Sequence, residues 1–144
     1  MNDEEELNRL AMRAQMLNRE VQTLQNQIDM MQTAIANLDA TIDTIKNLKK
    51  AQKDTIVPIG SGAYITCNEI DTLAVLVSVG AGFIVKKNAQ EATEILEKKR
   101  KDASESLEKA QKAYLQLSQS LQDINARATM ISARMEENVQ SAQE

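Results

Sequence analysis

The residues of this chain that could carry out chemistry are few and far apart. Histidine is absent and Cys67 is the only cysteine among the 144 residues. No intrachain disulfide, Cys/His zinc site or Ser-His or Cys-His nucleophile pair can therefore be assembled. Cys67 itself lies in a β-forming run with no neighbouring His or Lys cluster, so a small buried apolar residue is its expected role. We expect no catalytic residue, no metal and no cofactor, and hence not an enzyme.

Two Gly-x-Gly motifs are the other features with a known chemical use. Gly60-Ser61-Gly62 and Gly80-Ala81-Gly82 could be mistaken for phosphate-binding loops. Each lacks the third glycine of a dinucleotide-binding fingerprint, and neither lies in a βαβ context. Hairpin turns are the better interpretation, which makes Gly60, Gly62, Gly80 and Gly82 the predicted turn residues.

Charge and hydropathy exclude further classes. A formal net charge of −4 argues against a nucleic-acid partner, because phosphate binding needs a surface rich in Lys and Arg. The longest apolar stretch, Leu73 to Val85, is 13 residues long and interrupted by glycine, whereas a membrane span needs roughly 20. The amino terminus is acidic, unlike the basic start of a signal peptide. We expect a cytoplasmic protein that binds neither nucleic acid nor membrane.

The elements that organise the chain are two long heptad repeats. From Leu7 the apolar positions recur at alternating steps of three and four for six heptads. This spacing predicts a left-handed coiled-coil seam. Its a and d residues are Leu7, Leu10, Ala14, Leu17, Val21, Leu24, Ile28, Met31, Ile35, Leu38, Ile42 and Ile45.

The second half of the chain repeats the pattern. Asn88 is the predicted N-cap of its helix, with Glu91 as the capping-box residue. The seam residues that follow are Ala103, Leu107, Ala110, Tyr114, Leu117, Leu121, Ile124, Ala128, Ile131 and Met135. Neither helix can bury such a seam alone, so the two pair with each other as an antiparallel hairpin or with other chains.

The segment between the helices changes to a period of two and is rich in β-branched residues. Four short strands are predicted, at residues 55–59, 63–67, 73–79 and 83–85. The expected organisation is a helix over 1–53, two β-hairpins over 54–87 and a second helix over 88–144, in the α+β class. Two hairpins alone leave strand edges and apolar faces open, so several copies must come together.

At this point the central residues resemble a known family. Ile56-Val57-Pro58-Ile59-Gly60-Ser61-Gly62-Ala63-Tyr64-Ile65 and Val77-Ser78-Val79-Gly80-Ala81-Gly82-Phe83, each between long coils, are similar to the two hairpins of alpha-class prefoldin subunits. The resemblance covers essentially the whole chain and is closest to the archaeal type. The coils alone would be weak support, but two Gly-x-Gly hairpins between two such coils are specific, because beta-class subunits have one hairpin.

The resemblance implies an assembly and an activity. Two alpha-class and four beta-class subunits would form a hexamer whose hairpins close an oligomeric β-barrel body, with coiled-coil arms that hold non-native proteins. It implies an ATP-independent chaperone, or holdase, that captures clients at the arm tips and delivers them to a group II chaperonin. The alternative is a structural coiled-coil scaffold or a filament-forming prefoldin-like subunit.

Methionine placement indicates where clients would bind. Met12, Met16, Met30 and Met130 fall outside the seam, and flexible thioethers adapt to many apolar surfaces. The alternative is that they are ordinary exposed residues without a role. The seam residues Leu7, Leu10, Ile131 and Met135 would contact clients only if the helix ends open. The predicted client-binding residues at the tip are Leu7, Leu10, Met12, Met16, Met130, Ile131 and Met135.

The β segment supplies the predicted subunit contacts. The sequence does not determine which face of each strand makes these contacts, because a register slip of one residue exchanges buried and exposed side chains. The predicted assembly residues are Val57, Ile59, Tyr64, Ile65, Val75, Val77, Val79, Phe83 and Val85.

Overall fold

The computed structural model describes residues 2–50 and 54–143 and shows two long helices that flank two β-hairpins. This confirms the predicted α+β architecture. The elements in chain order are α1 (Asp3–Lys46), β1 (Thr55–Gly60), β2 (Ala63–Cys67), β3 (Val75–Gly80), β4 (Phe83–Lys87) and α2 (Ala89–Ser141). A short 3-10 turn, Leu48–Lys50, follows α1. No helix in the described part of the chain is both long and apolar enough to cross a membrane.

Asparagine caps begin both helices. The side-chain oxygen of Asn88 accepts a hydrogen bond from the Glu91 backbone N–H at 2.8 Å, as the sequence predicts for the start of α2. Asn2 accepts a bond from the Glu4 N–H at 3.3 Å at the start of α1. Each cap satisfies an N–H group that has no partner within the helix, which stabilises the helix by about 1 kcal/mol.

The heptad seams are where the helices bury their apolar residues. All of the predicted seam residues, from Leu7 to Ile45 on α1 and from Ala103 to Met135 on α2, are buried or half-buried. The physical reason is the 3.5-residue spacing, which keeps these side chains on one side of each helix.

The chain divides into two compact units. The first, here called the terminal unit, contains the chain up to Gln32 and from Glu105 onward. Leu10 on α1 and Ile124 and Ile131 on α2 form its buried cluster. Asp3 pairs with Arg134 and Glu6 pairs with Arg127, so the helices run antiparallel within this unit.

The second, here called the hairpin unit, spans Thr33–Ser104. Its buried cluster joins Ile42 and Ile45 of α1, Val77 of β3, and Ala92 and Leu96 of α2. Val75 and Ile95 pack against this cluster. The β3–β4 hairpin is therefore attached to the helices through one face of β3.

The two hairpins share one geometry. Pro58 pairs with Tyr64 and Gly60 with Ala63, which leaves Ile59 as an extra residue, and Val79 is the equivalent extra residue between Ser78 and Gly80. The loop residues Ser61 and Gly62 have φ of 49° and 77°, and Ala81 and Gly82 have 51° and 79°. Positive φ at both loop residues is the signature of a type I′ turn, whose twist matches that of the strands.

The strand ends differ slightly from the sequence-based expectation. β3 begins at Val75 rather than Leu73, since the Asp71 carboxylate accepts a hydrogen bond from the Leu73 N–H at 2.9 Å and holds that segment in a turn. β1 continues to Gly60 and β4 to Lys87.

Candidate functional site

The exposed methionines form the first candidate surface. Met12, Met16, Met30 and Met130 are 69%, 64%, 71% and 73% exposed, and all four belong to the terminal unit. They occupy positions outside the seam, so packing between the helices does not use them. They present flexible apolar groups to solvent while the seam stays closed.

The seam members of the predicted client-binding set lie in a different environment. Leu10 and Ile131 are buried in the cluster of the terminal unit, and Leu7 and Met135 are half-buried against it. The structure thus separates the predicted set into three exposed methionines (Met12, Met16 and Met130) and four residues that are used in packing. The four packed residues are available to another molecule only after the helices separate.

Ion pairs join α1 to α2 in the terminal unit. Arg134 donates two hydrogen bonds to Asp3, one of them from Nε to Oδ2 at 3.1 Å. Arg127 donates to Glu6, whose side chain is only 15% exposed. Forked arginine–carboxylate pairs fix geometry more strongly than single contacts. The two pairs hold the first turn of α1 against α2, and heptad spacing alone does not reveal them.

Two shallow grooves lie beside these pairs. One, of about 550 Å³, is lined by Met130, Ile131, Arg127, Arg134 and other residues of the terminal unit. A second, of about 350 Å³, is lined by Leu10, Ile124, Arg9, Arg13 and their neighbours. Each combines an apolar floor with arginine side chains, which can contact both apolar and acidic groups.

One face of the β3–β4 hairpin packs against the helices of the same chain. Val77 is 5% exposed and belongs to the buried cluster, while Val75 and Val85 are half-buried. Val77 and Val75 thus hold the hairpin against its own helices, and Val85 is the cross-strand partner of Val77. Lys99 of α2 adds a hydrogen bond from Nζ to the Ser78 carbonyl oxygen.

The remaining predicted assembly residues are more accessible. Val57 is half-buried, whereas Ile59, Tyr64, Ile65, Val79 and Phe83 are exposed. The extra residues of the two irregular pairings, Ile59 and Val79, are thus both available for contacts. Of the predicted turn residues, Gly62 and Gly82 lie in the loops, Gly60 and Gly80 are the last residues of β1 and β3, and all four have positive φ.

Four large apolar residues of this region were not among the predicted contacts. Leu73, Leu76, Ile56 and Ile84 are 64% exposed or more. Leu76 and Ile84 follow from strand alternation once Val77 and Val85 are known to face the helices, since neighbouring strand residues point to opposite faces. The sequence of a strand gives two alternating sets of side chains, but it does not say which set faces the helices.

Each hairpin is a separate two-stranded sheet. In residues 54–87, β1 pairs only with β2 and β3 only with β4. A two-stranded sheet has unpaired backbone groups on both outer edges and is marginally stable by itself. Open edges beside exposed apolar side chains are typical of a surface that is covered in an assembly.

Residues 2–50 and 54–143 contain no group of three or more His, Cys, Asp or Glu side chains that could hold a metal ion. Cys67 is a free, half-buried thiol at the end of β2. The described residues instead present exposed apolar side chains on the helices of the terminal unit and on the two hairpins.

The sequence and the fold are both similar to those of known proteins. The sequence matches the family model described as Prefoldin subunit over residues 17–140. Prefoldin subunit alpha of Methanosarcina acetivorans is 33% identical over 132 residues, which cover 88% of this chain and 93% of that protein. The protein of that name from Pyrococcus horikoshii is 29% identical over 85% of each chain.

Among solved structures, the cryo-EM structure of filamentous PFD from Methanocaldococcus jannaschii has a TM-score of 0.67 and 24% sequence identity. The match covers 78% of this chain and 94% of that chain. It shows that the two chains share a fold of long helices and small hairpins.

The fold and these similarities define the class of protein as a subunit of a coiled-coil chaperone family. The chain belongs to the prefoldin family. The resemblance to archaeal alpha-class subunits is therefore confirmed.

Proposed function

We propose that this chain is the alpha-class subunit of an ATP-independent holdase, which captures non-native proteins at its helix ends and passes them to a group II chaperonin in the cytoplasm. The observation that carries the proposal is the exposure of Met12, Met16 and Met130 in the terminal unit while the seam remains packed. Membership of a chaperone family supports the same conclusion.

The energetics suit a surface for many different clients. Burying one exposed methionine side chain contributes about 1.5 to 3 kcal/mol, less the cost of ordering it. A single contact is therefore weak, and several must act together. Because the thioether side chain is unbranched and polarizable, the contacts need no fixed client geometry. This matches unfolded chains, which expose apolar groups in no fixed arrangement.

Assembly is the second part of the proposal. We propose that the hairpins join beta-class subunits, as two alpha with four beta, in a β-barrel body. The open strand edges and the exposed Ile59, Tyr64, Val79 and Phe83 support this, because pairing would satisfy the edges and bury the side chains. By role, residues 54–87 are the oligomerisation segment, and 1–53 and 88–144 are the arms.

The test compares client capture by variants of the full-length chain, each assembled with a beta-class partner. In one variant, Met12, Met16 and Met130 are replaced by glutamine, which keeps length and helix propensity but removes apolar surface. The matched control carries Met30→Gln and Leu115→Gln, which alter exposed off-seam residues farther from the chain ends. Light scattering follows the aggregation of a chemically unfolded client without nucleotide.

We expect the triple variant to protect the client several-fold less well than the wild type, and the control to protect it nearly as well. Equal protection by all three would show that the methionines do not bind clients. Normal assembly with no protection, even by the wild type, would favour the structural scaffold or filament-forming subunit instead. Adding a group II chaperonin to the loaded complex then measures transfer of the client.

A further inference from the structure

The thioethers of the terminal unit fall into two environments. Met12, Met16, Met30 and Met130 are largely exposed, whereas Met31 and Met135 are half-buried in the seams. Residues 33–104 contain no methionine at all. Every methionine in the described residues thus lies in the terminal unit, and the exposed ones take no part in its packing.

We propose that the four exposed methionines, Met12, Met16, Met30 and Met130, are peroxide-sensitive modification sites, and that oxidation of Met12, Met16 and Met130 reversibly switches off client capture. The consequence for capture rests on the proposed function, while the sites themselves rest only on exposure. Hydrogen peroxide is the oxidant.

The reaction is a two-electron oxygen transfer. A lone pair of the thioether sulfur attacks one peroxide oxygen, an S–O bond forms and the O–O bond breaks. The leaving hydroxide takes up the remaining proton, so one methionine and one hydrogen peroxide yield one methionine sulfoxide and one water. Methionine sulfoxide reductases reverse the change with a thiol reductant.

Oxidation changes the property on which capture depends. A sulfoxide is polar and hydrogen-bonds to water, so the side chain loses most of the gain from burial against an apolar client. The helices should persist, because the four side chains point away from the seam. Met31 and Met135 are shielded by their neighbours, so the coiled coil is oxidised last.

The placement of Met130 makes the switch local. Met130 lines the groove that also contains Ile131, Arg127 and Arg134. Oxidation there converts part of an apolar groove into a polar one beside two arginine side chains. Capture should therefore fall although the Asp3–Arg134 and Glu6–Arg127 ion pairs remain.

The first experiment maps the sites independently of activity. The full-length chain is treated with hydrogen peroxide, quenched with catalase at intervals and digested for peptide mass spectrometry. The four exposed methionines should gain oxygen several-fold faster than Met31 and Met135, with Met1 mapped separately. Equal rates, or faster oxidation of the seam methionines, would overturn the assignment of the sites.

The second experiment measures the consequence for capture. Oxidised chain, freed of peroxide, is assembled with an untreated beta-class partner and tested by light scattering, with circular dichroism as a measure of helix content. The comparison variant carries Met12→Leu, Met16→Leu, Met30→Leu and Met130→Leu, which stay apolar but cannot be oxidised. A reductase with thiol is added last.

We expect the oxidised wild type to protect the client several-fold less well, with unchanged helix content, and to regain protection after reduction. We expect protection by the leucine variant to be unaffected by peroxide. Full protection after four sites are oxidised, or an equal loss in the leucine variant, would refute the switch. If untreated wild type fails to protect any client, the proposed function and the switch both fail. In that case the mass spectra still decide whether the four exposed methionines are oxidised faster than Met31 and Met135.

Discussion

Asp39 and Arg100 form one of the ion pairs that link α1 to α2 within the hairpin unit. Arg100 donates two hydrogen bonds to the carboxylate, one of them from Nη2 to Oδ2 at 3.2 Å. The hydrogen bond from Arg100 lowers the pKa of Asp39 below its usual value, burial opposes the shift, and the arginine charge adds to it. The same contacts raise the pKa of Arg100.

This pair predicts a pH dependence of stability. Because the pKa of Asp39 is lower in the folded chain, its contribution is fully present above the unfolded aspartate value of about 3.9 and is lost as pH falls through the folded value. Asp39→Asn should lower the melting temperature slightly at neutral pH, and the difference from wild type should vanish in strong acid. Thermal unfolding followed by circular dichroism at several pH values measures both melting temperatures.

The control for this prediction is Asp102→Asn, which changes another exposed aspartate of the same unit. Its effect on the melting temperature should be smaller at neutral pH. A gap between wild type and Asp39→Asn that persists unchanged in strong acid would mean that the charge of Asp39 does not contribute through this pair.

At the scale of the elements, the two hairpin turns carry a small conformational cost. Ala81 has φ of 51°. Residues other than Gly, Asn and Asp adopt this left-handed region at a cost of about 1 to 2 kcal/mol. Gly82 follows it with φ of 79°, so the turn needs positive φ at both positions. Asn-Gly is the pair that best satisfies this requirement.

Ala81→Asn should therefore stabilise the chain by several tenths of a kcal/mol, up to about 1 kcal/mol. Urea unfolding of the full-length chain gives the free energy of unfolding. Ala63→Asn is the control, since Ala63 begins β2 without a positive φ and asparagine is a poor strand residue. Destabilisation by Ala81→Asn would contradict the type I′ assignment.

At the scale of the whole molecule, adjacent residues of β3 lie in different environments. Val77 is 5% exposed against the helices, while Leu76 is 71% exposed on the opposite face. One strand thus packs against the helices of its own chain through one face and leaves the other face exposed. In the proposed assembly, folding and subunit contacts depend on different side chains, so mutation can separate them.

Val77→Ala should lower the free energy of unfolding of the chain by about 1 to 3 kcal/mol, since it removes buried methyl groups and leaves a cavity. Leu76→Thr, which preserves β-propensity, should leave that quantity nearly unchanged and weaken assembly with a beta-class partner. Urea unfolding and light scattering coupled to size-exclusion chromatography measure the two effects. The opposite pattern would show that Leu76 is not an assembly contact.

Much of the fold could be predicted from local patterns. The 3.5-residue spacing from Leu7 to Ile45 and from Ala103 to Met135 indicated both helices and their buried sides, since helix geometry ties position in sequence to position on a face. The Gly-x-Gly motifs marked both turns because few other residues adopt positive φ. The exposure of Met12, Met16, Met30 and Met130 followed from their off-seam positions.

Only the tertiary structure decided which face of the β3–β4 hairpin packs against the helices of the same chain. Alternation divides β3 into two sets, but the choice of Val77 for the helices and Leu76 for solvent depends on packing against Ile42, Ile45, Ala92 and Leu96, which are distant in sequence. The same holds for the Asp3–Arg134 and Asp39–Arg100 pairs. Sequence periodicity specifies faces, whereas contacts between faces depend on the three-dimensional arrangement of the whole chain.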